Sequence, residues 1–441
     1  MDWLFPYAPL PGAQVWRDVV REAAAAALDA GLPETAVEWL EQGRSIVWGE
    51  LHQLRSSDED LTSAHPEHAH RLRELSSALE QAGAAREQSL SAISEGTPNE
   101  VHDATRDKLL QEIRSLPGFE QFLRYKKFSR LRASAHSGPV VILNTAENRC
   151  DALIVLASVD HAIHVPLPHF TFERSTYLQM ILKNFLRHVH VIRSDDREGQ
   201  RTTLDGVNWQ TFLATLWRCI VKPILDALAF SVRHTHDNLS RIFWCPTGPL
   251  VFLPIHAAGF YDSQYSHPGH KVFDFVISSY VPTLSILAPS LNSSTAPNGN
   301  PRLLAIRQPR SDGLSRLPGV VTELEHIKGV IKDSASASIT FLESSVGTVE
   351  EVLDLMKESD WVHFACHGIQ DAARPTESGL CLANRRRLKV SDMIALSRPH
   401  GGLAFLSACQ TTSQRVSSRS PSPNFFDNRC KCVLDRWILT G

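Results

Sequence analysis

Several families of site are missing from this chain. There is no G-x-S-x-G, no Walker A loop, no G-x-G-x-x-G and no H-E-x-x-H. Serine-hydrolase, nucleotide-phosphate, dinucleotide and zinc-protease readings therefore have nothing to rest on. An excess of one charge sign is missing too: 45 basic against 48 acidic residues leave a formal net charge of −3 over 441 residues. That balance gives no electrostatic reason to expect nucleic acid or an anionic membrane as partner. The eight cysteines are scattered, with no pair at zinc-ribbon spacing, as in a reduced intracellular protein. No long apolar run is uninterrupted: Val207 to Val232 contains Arg218, Lys222 and Asp226, and Val272 to Leu291 contains Asp274 and Pro282. Neither reads as a membrane span. Met1 to Trp16 lacks the basic start and apolar core of a signal peptide. A cytoplasmic protein is expected, with a nuclear one as the other option.

What is present begins as helix. Val19, Ala23, Ala26 and Ala27 fall at helical spacing, Gly31-Leu32-Pro33 breaks the run, and Ala36, Leu40, Val47, Leu51 and Leu54 resume it. One hairpin cannot bury its own apolar face, so it is expected either to follow lost repeats or to pack on what comes next. His65, His68 and His70 have some metal-like spacing, but Glu67, Arg71 and Arg73 around them describe a solvated helix face. A joint is expected near Glu95-Gly96-Thr97-Pro98, then a helix from Asp103 to Arg124.

After Ser137-Gly138 the period changes. Val140 to Leu143, Ala152 to Leu156 and Ala162 to Leu167 are short runs rich in branched residues, predicted as strands of a meander; Phe172 to His190 and Val207 to Val232 are predicted helices. His256, which precedes a loop of small residues, is expected to be structural. Asn292 to Asn300 is a polar linker. Beyond it strand and helix alternate: Leu303 to Ile306, a helix opened by Pro318, Ile339 to Leu342, and a helix capped by Thr348. Such alternation with short loops demands parallel strands and an α/β fold.

Two apolar stretches end in reactive residues. Trp361 to Gly368 reads WVHFACHG and Gly402 to Thr411 reads GLAFLSACQT. In open α/β sheets ligands bind outside the carboxyl ends of strands, so neighbouring strands would bring His367 and Cys409 to one crevice. A thiol of ordinary pKa is only a few per cent thiolate at neutral pH and needs a base. Gly368 can offer its N–H to a developing oxyanion. Cys366 is the competing nucleophile, but neighbours on a strand point to opposite faces, which sends it into the packing. A metal site of His363, Cys366, His367 and Cys381 fails for the same reason. Arg385-Arg386-Arg387 reads as a solvated run that could also grip an acidic side chain, and the role of Asp371 stays open.

His-Gly after one apolar strand and Ala-Cys after the next resembles the caspase-like cysteine peptidases. The words HFACHG and LSACQT, with FLPIHAAG upstream, are similar to the CHAT domain family, and AAAALDAGLPETAVEWLEQGRSIVW looks like a tetratricopeptide-type (TPR) repeat in front of such a domain. The resemblance implies a caspase-like, mostly parallel sheet flanked by helices over residues 136–411, with a strand, a turn and a second strand from Ile242 to Gly259, behind a helical region 1–135 with a TPR-like hairpin. Residues 412–441, polar and proline-broken, form a divergent tail expected to be disordered. It further implies peptide-bond hydrolysis by a His367–Cys409 dyad, with the Gly368 and Cys409 N–H groups binding the oxyanion and no cofactor or metal. The substrate would be a protein or peptide, and the helical region would hold a protein partner. Because Ser413 to Asn428 departs from the family pattern, a catalytically inactive adaptor is the alternative.

Overall fold

The computed structural model describes residues 13–44, 61–75 apart from 63 and 73, 105, 108–120, 122, 126–188, 208–230, 239–287 apart from 266, 302–311, 314, 316–333, 338–342, 348–369, 377–383, 386–396 and 403–407. The chain divides into two compact units, Met1–Gly43 with Lys127–Thr440, and Arg44–Lys126. Among the described residues no helix is long and apolar enough to cross a membrane.

In the larger unit, β1 (Val140–Thr145), β2 (Cys150–Val155) and β3 (Ile163–Pro166) form the expected meander. β1 also pairs in parallel with β4 (Ser240–Pro246), which pairs in parallel with β5 (Val276–Tyr280), giving a mixed sheet in the order β3-β2-β1-β4-β5. All six residues of β1 and of β2 are buried, because both faces are covered. Val141, Leu143, Ala152, Ile154 and Trp244 face α2 (Phe172–His188), α3 (Trp209–Leu216) and α4 (Lys222–Ala227), whose Ile181, Phe212, Leu216 and Ile224 complete that core. A single π turn, Trp217–Val221, joins α3 to α4 and keeps Trp217, Ile220 and Val221 turned inward.

The alternate residues Val140, Ile142, Leu153, Val155, Phe243 and Cys245 pack against the N-terminal hairpin, α1 (Ala13–Asp29) and the helix of residues 33–44. The hairpin thus buries its face on the sheet. Four of its carboxylates fasten it there by accepting backbone N–H groups: Glu22 from Glu147, Glu34 from Ala162, Glu38 from Phe128, and Glu41 from both Leu284 and Ser285. The apolar stripe differs from the expected one. Val19 is half exposed and Ala26 exposed, while Arg21, Ala24, Ala27 and Leu28 point inward. The stripe turns because Arg21 finds buried partners, an acceptor in the Thr145 hydroxyl and the ring of Phe172 5.2 Å from its guanidinium carbon.

The second strand expected after Ile242 does not form. Gly248–Phe252 and Ile255–Ala257 are 3₁₀ turns instead. Pro249 and Pro254 cannot donate to a ladder, and Gly248 sits at φ +53°, where a Cβ would meet the Arg21 guanidinium at 2.3 Å.

The remaining strands make their own sheets. β6 (Arg302–Arg307), β7 (Ser338–Leu342), β8 (Trp361–Ala365) and β12 (Leu403–Ser407) are all parallel in the order β12-β8-β6-β7. α5 (Gly319–Asp333) follows β6 and α6 (Val349–Lys357) follows β7, the latter capped as expected by the Thr348 hydroxyl accepting from the Glu351 N–H. Three short strands, β9 (Gly368–Ile369), β10 (Gly379–Cys381) and β11 (Arg387–Lys389), form an antiparallel sheet leading into α7 (Val390–Ala395). The α/β class holds, with the strands sorted into one mixed and one parallel sheet.

In the smaller unit Leu61, Ala69, Leu72, Leu109, Leu110, Ile113 and Phe122 form a core of their own, and Gly118 takes φ +87° at the expected break after Pro117.

Candidate functional site

β8 and β12 are adjacent and in register, Leu403 opposite Trp361 through Ser407 opposite Ala365. Their long apolar runs follow from burial on two sides. On one side Val362, Phe364 and Cys366 join Leu304, Ile306, Val352 and Met356. On the other, Ala365 joins Ala305, Val320 and Leu324 of β6 and α5. His363 and Phe405 share this second side: their rings stack with centroids 4.8 Å apart and 7° between planes.

His367 lies two residues beyond the end of β8 and is buried, 1 % exposed. Its carbonyl accepts the Cys381 N–H at 2.7 Å, which ties the site's turn to β10. Gly368, also buried, opens β9 and stands opposite Leu380. Cys409, with Ala408, Gln410 and Thr411, lies outside the described residues, as do Asp371, Arg385, the Asn292 to Asn300 linker and the residue 412–441 tail.

Cys366 sits in the apolar core at 1 % exposure. Burial, with Cys381 beside it, pushes its thiol far up from the ordinary range, and burial raises Cys381 as well. Both shifts disfavour the thiolate. The four residues weighed as a metal set are divided between the two sides of the sheet, His363 on one and Cys366 on the other. His65, His68 and His70 go to separate partners: His65 edges onto Phe119 and onto His68, and His70 faces Glu74 at 3.4 Å. Arg386 pairs loosely with Glu350 at 3.5 Å, and Arg387 donates to the Glu377 carbonyl at 2.9 Å.

His256 closes the first sheet. Its backbone N–H donates to the Tyr280 hydroxyl at 3.0 Å, and that hydroxyl lies 2.9 Å from Nδ1. Burial pulls the His256 imidazole down to about 4, so it stays neutral, and burial raises Tyr280. The pair is internal packing held by hydrogen bonds.

Two polar residues beside the site escape a reading by motif. The Ser407 hydroxyl donates to Glu323 Oε2 at 2.9 Å, and Glu323 Oε1 lies 3.5 Å from His363 Nε2. The signal was available: Val320, Glu323, Leu324 and Ile327 follow the i, i+3, i+4, i+7 stripe, so a carboxylate occupies a core-facing position of α5.

A mixed sheet and a parallel sheet with a buried histidine beyond a strand's carboxyl end define an α/β protein whose candidate site lies at the carboxyl end of β8. Over residues 210–422 the chain matches the family described as CHAT domain. The match begins inside α3, although β1 to β3 pair with β4 and complete the same sheet, and it continues past Thr411 to residue 422. No curated protein matches the chain.

Proposed function

We propose that the CHAT domain of this chain is a caspase-like cysteine peptidase with Cys409 as nucleophile and His367 as base. The observation that carries this reading is the ladder register. Ser407 is paired with Ala365, and each candidate follows the last paired residue of its strand by two positions in the sequence. Equal offsets from paired residues favour one shared crevice at the strands' carboxyl ends.

In this reading His367 takes the thiol proton, the thiolate adds to the scissile carbonyl, and His367 returns the proton to the leaving amine. Water, deprotonated by the same imidazole, then hydrolyses the thioester. The Gly368 and Cys409 N–H groups bind the oxyanion. The pairing of Gly368 with Leu380, flanked by the Cys381 N–H bond to the His367 carbonyl, is of the non-hydrogen-bonded kind, which turns the Gly368 N–H away from β10. That orientation supports the oxyanion role. The raised Cys366 and Cys381 thiols leave the reaction to another cysteine.

A non-catalytic adaptor is the second reading, and one observation favours it: the hairpin exposes Val19, Leu32 and Trp39 at 50, 50 and 42 %, a surface suited to a protein partner. A fluorogenic peptide library with Cys409→Ala and His367→Ala controls separates the two. Turnover lost by at least about 100-fold in both variants supports the peptidase. Turnover that survives both overturns the dyad, and no turnover in the unaltered protein together with no labelling of Cys409 by a thiol-directed peptide probe favours the adaptor.

A further inference from the structure

The Glu323 carboxylate touches both strands that carry the proposed dyad. It projects from the core-facing stripe of α5, and each of its oxygens meets a different strand: Oε2 accepts from Ser407 at the last position of β12, and Oε1 lies 3.5 Å from His363 on β8. His363 Nε2 is buried and makes no hydrogen bond, so an acceptor within half an ångström of bonding distance is its natural partner. Phe405, stacked on His363, fills the space between the two strands on the same side. One carboxylate therefore ties a helix to the last residue of β12, two positions before Cys409 in the sequence, and faces the middle of β8. Unlike the carboxylates of the hairpin, which accept from backbone N–H groups, this one holds a side chain at a strand end.

We propose that Glu323 is a positioning residue for the nucleophile: by holding Ser407 against α5 while facing His363, it fixes the separation at which the ends of β12 and β8 present Cys409 and His367. The proposal rests on the dyad reading above. Its physical basis is that a displacement of about 1 Å at a reacting group costs on the order of 100-fold in rate, while a hydrogen bond from a rigid helix suppresses such displacement. The Ser407 bond needs only an acceptor, so the amide oxygen of a glutamine in place of Glu323 preserves it.

The test uses the full chain and the rate at which iodoacetamide alkylates Cys409 at pH 7, read by mass on the peptide that contains it, alongside the melting midpoint. Glu323→Ala is expected to slow alkylation roughly tenfold, with Glu323→Gln restoring it to within about twofold. Ser407→Ala, which removes only the hydroxyl, is expected to reproduce the loss with the melting midpoint kept, and it carries the comparison should Glu323→Ala fail to fold. Alkylation of Glu323→Ala or Ser407→Ala at the unaltered rate overturns the proposal, as does a Glu323→Gln protein as slow as Glu323→Ala. His367→Ala distinguishes the two levels of inference. If it reacts as fast as the unaltered protein, the dyad itself fails; if it is slow while Glu323→Ala is fast, only the positioning role fails.

Discussion

At the carboxyl ends of β1 and β4, Asn144, Thr145 and Thr247 bond to one another and to Arg21, whereas His367 stands beyond the end of β8 and Ser407, two positions before Cys409 in the sequence, closes β12. Both sheets have parallel strands, and both end in polar residues. In the first sheet those residues are consumed by structure. The Asn144 amide donates to the Arg21 carbonyl, the Thr145 hydroxyl to the Thr247 carbonyl, and the Thr247 hydroxyl to the Asn144 side-chain oxygen, while Arg21 fills the space above. In the second, β12 is only half-buried, and the polar groups on its α5 side are gathered by a single glutamate. The carboxyl end of a strand is thus a place where chemistry can be put, not evidence that it has been; what separates the two sheets is which residue types stand there.

If the first sheet is scaffold, the greatest loss should follow from opening its core. Trp244 is fully buried between the β4 neighbours and α3, with its indole N–H donating to the Ser278 hydroxyl at 3.0 Å. Trp244→Ala is expected to cost about 4 kcal/mol in denaturant unfolding. Phe405→Ala, on half-buried β12, should cost less than half of that, and equal losses would erase the distinction between the sheets.

A second way to sharpen the contrast is pH. His256 stays neutral down to about 4 in the folded protein because burial disfavours its charge, whereas an unfolded histidine gains its proton near 6.5. Between those values the unfolded state binds more protons than the folded one, so stability falls as pH falls from about 6.5 toward 4, by up to roughly 3 kcal/mol. The contribution is fully present above 6.5. Unfolding measured across that window should lose much of its acid slope in His256→Gln, and an unchanged slope would show that the imidazole is not held neutral.

Next in size is Glu41, whose buried carboxylate accepts from Leu284 and Ser285 at 2.8 and 2.9 Å. Glu41→Ala strands two backbone donors and is expected to cost about 2 kcal/mol, with Glu41→Gln milder. Equal stability of all three proteins would mean that the hairpin is held by apolar burial alone.

The strands and their ends were easy to read because burial on both faces writes itself as a continuous apolar run, and a His or Cys at the end of such a run stands out. The alternate placement of Cys366 followed from strand parity alone, and the structure puts it in the core. The sorting of β1 to β5 and of β6, β7, β8 and β12 into separate sheets was not legible, since β4 and β6 are equally apolar and only their partners differ. Nor were the 3₁₀ turns after β4, where two prolines and a glycine in the left-handed region override branched residues that favour strand. Glu323 was hidden by its class, because a charged residue is assumed to face solvent until a partner for it is known. Register carries the site reading as far as Ser407, and Cys409 itself lies outside the described residues.

The same blindness to buried charge misplaced the hairpin's inner face, and that error gives the smallest and cleanest test. Choosing the stripe by hydrophobicity puts Val19 and Ala26 inside; the structure puts Ala24 inside at 0 % exposure and leaves Val19 half exposed. The two positions should therefore respond in opposite ways to added bulk. Ala24→Leu forces about three further carbons of side chain into a site closed by the sheet and is expected to cost about 1–3 kcal/mol. Val19→Lys, at a surface position, should change stability by no more than about 0.5 kcal/mol. Thermal unfolding of the pair decides between the stripes: a tolerated Ala24→Leu with a damaging Val19→Lys would rotate α1 on the sheet, and would remove Arg21 from the polar network that closes the ends of β1 and β4.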